Sequence, residues 1–355
     1  MTNNHSIKTT LLLATTQLKA QGFNAETAKL EAQLLLQHVL NVNRAWLIAH
    51  QNDALQPSIH GAYGILINRR VNGEPIAYIL GYREFYGLKL KVSADTLIPR
   101  ADTETLVDTA LVKIGLLDSP PPPFLPSPLA PHPPAGEGNQ AANLSPSPAG
   151  GRGIGEMGES SHKKLMDSRL RGNDEQESVI KRIKQFSILD LGTGSGAIAL
   201  AIAKHRPQAF VYALDASQAA LDIAIENAQN LNINNVKFLL SDWFSALNLQ
   251  DNAQKFDIIV SNPPYIEAED AHLKQGDLRF EPLSALASGA EGLDDIRKII
   301  AQAPKHLNPH GCLLLEHGYN QAEAVANLLK KAGFSEIETH KDLGGNSRVT
   351  LGKIT

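Results

Sequence analysis

One cysteine in 355 residues leaves no partner for a disulfide within the chain. That residue, Cys312, lies in the apolar run "GCLLLEHG" and reads as a small buried hydrophobe rather than a reactive thiol. Paired Cys and His spacings of the metal-site kind are missing as well: the 12 histidines are scattered, and no metal is expected. Long apolar runs are also absent. The longest, "AIALAIA" at 197–203, falls far short of the roughly 20 residues that cross a bilayer. No basic-then-apolar leader opens the chain, so no membrane partner and a cytoplasmic location are expected. Nor is there a surplus of positive charge. A formal net charge of −4 gives no general attraction for a nucleic-acid backbone, and no direct nucleic-acid partner is expected.

What remains is a chain that is 43% hydrophobic and 20% charged, long enough for two globular units. Residues 1–75 are helical in pattern. Ile7, Leu11, Ala14 and Leu18 share one face, Gly22 is a plausible terminator, and Asn24 caps a second helix bearing Ala28, Ala32, Leu35 and Val39. The period then changes to two, because Leu88, Leu90 and Val92 alternate with Lys89 and Lys91, which predicts a hairpin linker within 76–98. Helical spacing resumes in "IPRADTETLVDTALVKIG", the first helix of the next unit at 99–117, with acidic groups in its first turn.

Residues 118–180 differ in style. Two stretches there hold 11 of the chain's 20 prolines and little apolar matter, so the segment cannot offset its ordering entropy and reads as a disordered Pro/Gly-rich insertion. It enters far, in topology, from the carboxyl ends of the strands. Deleting residues 120–180 is therefore expected to leave chemistry at those ends largely intact.

Over 181–355 strands and helices alternate: "SILDLG", "AIALAIAKH", "AFVYALD", "SQAALDIAIENAQNL", "VKFLLSD", "FDIIVSNPPY", a mixed segment, "GCLLLEHG", "QAEAVANLLKKAG", and two closing strands. Such alternation means a mainly parallel sheet covered on both faces, with ligands at the strands' carboxyl ends. The motifs fall at those ends. "LDLGTGSGAIAL" places Gly192, Thr193, Gly194, Ser195 and Gly196 after the first strand, where glycine allows positive φ and close approach of a ligand. The same loop also satisfies the dinucleotide fingerprint. Asp190, two residues before Gly192, is expected near the ligand, where it would repel a pyrophosphate and suit the cationic S-adenosylmethionine. Asp215 ends the second strand and is positioned to accept both ribose hydroxyls of either cofactor. After the third strand, Asp242 and Trp243 are expected beside an adenine.

Asn262-Pro263-Pro264-Tyr265 favours methyl transfer over hydride transfer. Neither proline donates a backbone hydrogen bond, so the corner is stiff and displays acceptors. An amide nitrogen is a poor nucleophile whose proton is too weakly acidic for prior removal by a carboxylate or imidazole. Orientation must then carry catalysis. With the Asn262 side-chain oxygen and the Pro263 carbonyl each taking one N–H, the nitrogen faces the methyl group in line with the departing sulfur. Tyr265 would hold the planar amide from one face. An adenine amine has a similarly delocalised lone pair, so adenine-directed nucleic-acid methylation is the alternative.

Taken together, "GEPIAYILGYREFYGL", "TLIPRADTE", "ILDLGTGSGAIAL", "SDWFSAL", "IVSNPPYI", "GDLRFEPLSAL" and "LLLEHGY" closely resemble the bacterial peptide chain release factor glutamine methyltransferases, the PrmC/HemK family. The resemblance spans nearly everything except 118–180. It implies an α/β fold: a seven-stranded Rossmann-like class I methyltransferase domain, preceded by a small all-helical substrate-recognition domain and a β-hairpin linker. It implies methylation of the glutamine in a release factor's Gly-Gly-Gln loop, with S-adenosyl-L-methionine as donor and the release factor as protein partner; a monomer is expected. Position by position, it assigns the cofactor to Gly192 through Gly196, Asp215, Trp243 and Asn262. The glutamine goes to Asn262, Pro263, Pro264 and Tyr265, with Asn262, Pro263 and Tyr265 catalytic. Arg100 is expected near the pocket without a catalytic role. The family's linker motif carries proline where Ala101 stands here, which removes a pre-set helix start.

Overall fold

The computed structural model describes residues 6–115, 186–247 and 254–355. The insertion expected at 118–180 lies outside the described residues. Five helices come first: α1 (Ile7–Ala20), α2 (Ala25–Leu40), α3 (Arg44–Ala49), α4 (Pro57–Val71) and α5 (Ile76–Leu80). Their starts are written in the sequence. Ser6, Asn24 and Asn43 sit in extended backbone and accept the N–H three residues on, satisfying a donor that the helix itself cannot. Pro57 opens α4, where its missing N–H costs nothing. Ile7, Leu18, Ala32, Leu35, Tyr63 and Ile67 close a core of their own.

The hairpin follows α5 as β1 (Tyr82–Phe85) and β2 (Leu88–Lys91), paired antiparallel. Its two turn residues, Tyr86 at φ 51° and Gly87 at φ 71°, are both left-handed, as the tight hairpin turn requires. Leu88 and Leu90 are buried while Lys89 and Lys91 are exposed. The strand expectation of alternation holds here. Helical spacing in "IPRADTETLVDTALVKIG" resolves into a 3₁₀ turn, Ala101–Thr103, and then α6 (Glu104–Lys113). The helix stops near Gly115, which sits at φ 77°.

Seven strands form the main sheet: β3 (Ser187–Leu191), β4 (Phe210–Asp215), β5 (Val236–Leu240), β6 (Phe256–Ser261), β7 (Leu307–Glu316), β8 (Ser335–Lys341) and β9 (Ser347–Lys353). Their order is β5-β4-β3-β6-β7-β9-β8, with β9 antiparallel to both neighbours and the rest parallel. Helices α7 (Ala197–His205), α8 (Gln218–Asn230), α9 (Asp294–Gln302) and α10 (Ala322–Lys331) connect them. The period of two sorts each strand between faces. Leu189, Ile259 and Leu313 pack with Ile296, Ile299 and Leu329, while Ile188, Ile258 and Leu314 pack with Leu106, Leu200 and Ile202. Each such side chain contributes roughly 1.5–3 kcal/mol by leaving water.

The strand order reverses between β3 and β6, the place where an open α/β sheet leaves a crevice beyond the carboxyl ends of its strands. Ser261 Oγ donates to the Leu191 carbonyl at 2.7 Å, holding those ends in register. Helix α9 is a feature the sequence reading folded into a mixed segment. Its signal is present, since Ile296, Ile299 and Ile300 are buried at spacings of three and four.

Candidate active site

Two adjoining cavities occupy the crevice. The larger, about 480 Å³, is lined by Gly192, Gly194, Asp215, Trp243, Asn262 and Pro264, with further wall from Asp95, Asp242, Ser284 and Asp295. The smaller, about 60 Å³, is lined by Leu97, Arg100, Asn262, Pro263, Tyr265 and Leu278 among others. Asn262 belongs to both walls. The structure thus brings together the motifs read separately along the chain, and it splits the tetrapeptide between two chambers.

Local sequence makes this geometry. Gly192, Gly194 and Gly196 all take positive φ (73°, 57° and 83°), so the chain turns sharply from β3 into α7. A Cβ on Gly196 would lie 3.0 Å from Leu200 Cδ1 and 3.2 Å from Ala224 Cβ, so that glycine serves packing. A Cβ on Gly192 would lie 3.5 Å from the Trp243 ring, which covers the loop on the cavity side. Trp243 itself is held at φ 47°, a conformation uncommon for a bulky residue, and its indole N–H donates to Asp295 Oδ1 at 3.3 Å.

Three of the expected cofactor residues are absent from the walls of both cavities. Thr193 and Ser195 are buried, and Gly196 stands at the N-cap of α7. The Thr193 hydroxyl instead donates to Asp190 Oδ2 at 2.6 Å, and the Ser195 carbonyl accepts from Asn227 Nδ2 at 2.9 Å. Asp190 is likewise not where the sequence argument placed it. It is fully buried and lines neither cavity; Oδ2 also accepts the Ala199 N–H at 3.2 Å, so the carboxyl braces the loop from beneath. Burial pushes its pKa up to about 7, against the pull of Thr193 and Ala199.

The electrostatic argument for a cationic ligand nevertheless stands on other residues. Asp95, Asp215, Asp242 and Asp295 line the larger cavity, and among the described residues no Lys, Arg or His does so. Such a wall disfavours a pyrophosphate and favours a positive centre. Asp215 Oδ2 accepts the Gly194 N–H at 2.8 Å and Oδ1 the Ser217 N–H at 2.9 Å, which aims the carboxylate while leaving lone pairs free. Burial raises its pKa, with those backbone donors opposing. Burial also pushes Asp295 upward, but bonds from Ser288, Lys298 and Trp243 outweigh it and hold the carboxyl below its ordinary value.

Comparison with known proteins supplies the family. A family model described as a methyltransferase domain matches residues 183–346, and one described as the PrmC N-terminal domain matches 10–81. A release factor glutamine methyltransferase of Salmonella typhimurium is 39% identical over 94% of this chain and 94% of its own length. One from Xylella fastidiosa is 40% identical over 92% and 93%, and one from Vibrio cholerae 39% over 98% and 96%. The chain belongs to the release factor glutamine methyltransferase family. Its α/β fold, with a helical part ahead of a class I methyltransferase sheet of seven strands, follows from the same match. Among the described residues no helix is long and apolar enough to cross a membrane.

For this release factor glutamine methyltransferase family member, the structure adds residues that sequence reasoning passed over. Glu281, buried within the loop after Tyr265, accepts the Ile98 N–H at 2.9 Å and pairs with Arg100, fixing the linker motif against the smaller cavity. Burial raises the Glu281 pKa and Arg100 opposes that rise. Gln321 Nε2 donates to the Tyr265 carbonyl at 3.0 Å and so holds the corner from behind. Thr103 and Glu316 contact the tetrapeptide side chains: Asn262 Nδ2 lies 3.2 Å from Thr103 Oγ1, and Tyr265 Oη lies 3.3 Å from Glu316 Oε1. A charge that closes the apolar run "LLLE" was the legible sign of Glu316. Burial, then the Glu316 charge, raises the Tyr265 pKa, so its hydroxyl stays protonated near neutrality.

Proposed function

We propose that this chain methylates the side-chain amide nitrogen of the glutamine in the Gly-Gly-Gln loop of a peptide chain release factor, in the cytoplasm and as a monomer. The observation that carries the reading is Asn262, which lines both the larger acidic cavity and the smaller chamber containing Pro263 and Tyr265. A donor in one chamber and a planar amide in the other would meet at that side chain.

The donor fits the residues present. About 480 Å³ lies within the usual range for a small-molecule site, and two glycines, a carboxylate and an indole offer backbone approach, a diol acceptor and a ring face. S-adenosylmethionine supplies, when bound, a methyl group made electrophilic by its sulfonium. Gly192, Gly194, Asp215, Trp243 and Asn262 would hold it, with the four aspartates matching its positive charge.

The rest is the work of the chain. The Asn262 amino group is engaged by Thr103, which leaves Oδ1 as its free acceptor, and the Pro263 carbonyl offers a second. Two acceptors on two N–H bonds fix the plane of a glutamine amide and turn its nitrogen toward the larger cavity. Tyr265, in the wall of the smaller chamber, would pack beside that plane. The amide proton leaves after transfer, when the nitrogen has become acidic. The chain's formal net charge of −4 offers no general attraction for a phosphate backbone, which favours a protein substrate over an adenine in nucleic acid.

The test is incubation of the protein with labelled donor and a purified release factor, with mass mapping of the modified residue. Methylation of the loop glutamine is expected in wild type. Asn262→Ala should lose turnover by about 100-fold or more while keeping most of its donor affinity. Undiminished turnover in that variant overturns the reading.

A further inference from the structure

Asn262 has an ambiguity built into its chemistry. A carboxamide presents an acceptor at one end and a donor at the other in nearly the same shape, so a half-turn of the side chain replaces Oδ1 with Nδ2. In the wrong orientation the side chain would face a substrate N–H with an N–H. Something must fix which way it points.

We propose that Thr103 and Glu316 are positioning residues that set this polarity, Thr103 by accepting from the Asn262 amino group and Glu316 by drawing the Thr103 hydroxyl hydrogen toward its own buried Oε2. The inference rests on the role given to Asn262 above. Thr103 stands immediately before α6, where a threonine hydroxyl ordinarily caps the helix, yet it makes no capping bond. It is buried, and its oxygen lies 3.2 Å from Asn262 Nδ2, 159 positions away in sequence. A lone hydroxyl would not decide the matter, because it can also donate to a flipped Asn262 oxygen.

Glu316 removes that freedom. It is the last residue of β7, only 1% exposed, and the neighbour of Leu315, which pairs with Ser261 just before the tetrapeptide. Its Oε1 accepts from Tyr265 Oη, while Oε2 has no hydrogen-bond partner among the described residues and can attract the Thr103 hydrogen. The Thr103 hydroxyl favours the ionised form of this carboxyl, as do Arg348 and Tyr265, while burial and Asp102 oppose it. An ionised carboxylate only accepts. An ionised Glu316 attracts the Thr103 hydrogen to its own side, which leaves a lone pair for Asn262.

A protonated Glu316, or a glutamine there, can donate to Thr103, and the polarity of the chain of bonds is lost. Burial raises the Glu316 pKa to about 7, so it is ionised above that pH and protonated below. Turnover limited by Asn262 orientation should fall as pH drops through about 7. The other groups facing this cluster are Arg348 and Asp102, which pair at 3.0 Å, and buried His317, whose pKa burial lowers and which therefore stays neutral across this range.

The experiment measures kcat and KM for a purified release factor, with donor affinity by calorimetry, for Thr103→Val, Thr103→Ser, Glu316→Gln and Asn262→Ala. Thr103→Val, which keeps shape and loses the hydroxyl, should lower kcat about tenfold with unchanged donor affinity, and Thr103→Ser should restore most of it. Glu316→Gln should lower kcat and abolish its decline below about pH 7. Wild-type kcat in Thr103→Val beside an inactive Asn262→Ala overturns this inference and leaves the proposed function standing. An active Asn262→Ala overturns the proposed function itself. Should Thr103→Val fail to fold, Glu316→Gln decides: an unchanged kcat and pH profile overturns the inference.

Discussion

At the scale of single residues, buried carboxyls are the costly feature of this site, and Asp190 shows it most clearly. Its folded-state pKa of about 7 lies well above the roughly 3.9 of an unfolded aspartate, because the carboxyl is buried and its Oδ1 has no partner among the described residues. Between those values the native state holds a proton that the unfolded chain has released. Stability from this group is therefore full below about pH 4 and lost as pH rises through 7. Asp190→Asn keeps an oxygen for Thr193 and Ala199 and places an uncharged group at the orphan position. The variant's stability relative to wild type should rise between pH 5 and pH 8, by an amount on the order of 2–3 kcal/mol. Urea unfolding of the ligand-free proteins at several pH values measures the gap, and a gap independent of pH contradicts the assignment.

Secondary-structure elements were the most legible part of the sequence, and the reason is local chemistry. Asn24 was readable as a cap because a short polar acceptor ahead of a helical apolar stripe has few other uses, and its Oδ1 accepts the Thr27 N–H at 2.8 Å. Asn24→Ala should lower unfolding free energy by about 1 kcal/mol without altering methyl transfer, since the cap is far in sequence from both cavity walls. Thermal unfolding and a turnover assay check the two halves of that statement. The central strands were legible because burial on both faces makes them mostly apolar, Asp190 and Asp257 being the acidic exceptions. The site was legible only where a residue type declares itself, as with the glycines of the β3 turn and the two prolines after Asn262. Thr103, Glu281 and Gln321 were not, because each acts through a partner more than 50 positions away in sequence. Asp190 misled for a related reason: spacing put it beside the loop, but not on which side.

At the scale of the whole molecule, one guanidinium joins parts that the sequence gives no reason to connect. Arg70, on α4, is 5% exposed and donates to both oxygens of Glu31 on α2, at 2.7 and 3.2 Å. It also donates to the Glu74 carbonyl at 2.9 Å and to Asp277 at 3.2 Å, while its plane lies 4.4 Å from the Phe23 ring centroid. Asp277 lies four residues before Glu281, whose carboxyl is bonded to Ile98 and Arg100. The loop that carries Ser284 and Ala285 into the larger cavity wall is thus pinned by the helical part on one side and by the linker on the other. Removing one partner of such a buried pair leaves the other charge without compensation, which typically costs about 3–5 kcal/mol. Arg70→Met should destabilise the protein by roughly that amount, and Glu31→Gln combined with Arg70→Met should recover part of it, because the orphaned charge is gone. Denaturant unfolding of the two single variants and the double variant closes the cycle. A double variant no more stable than Arg70→Met would mean that the guanidinium's contacts to Glu74, Asp277 and Phe23, rather than the Glu31 charge, dominate the loss.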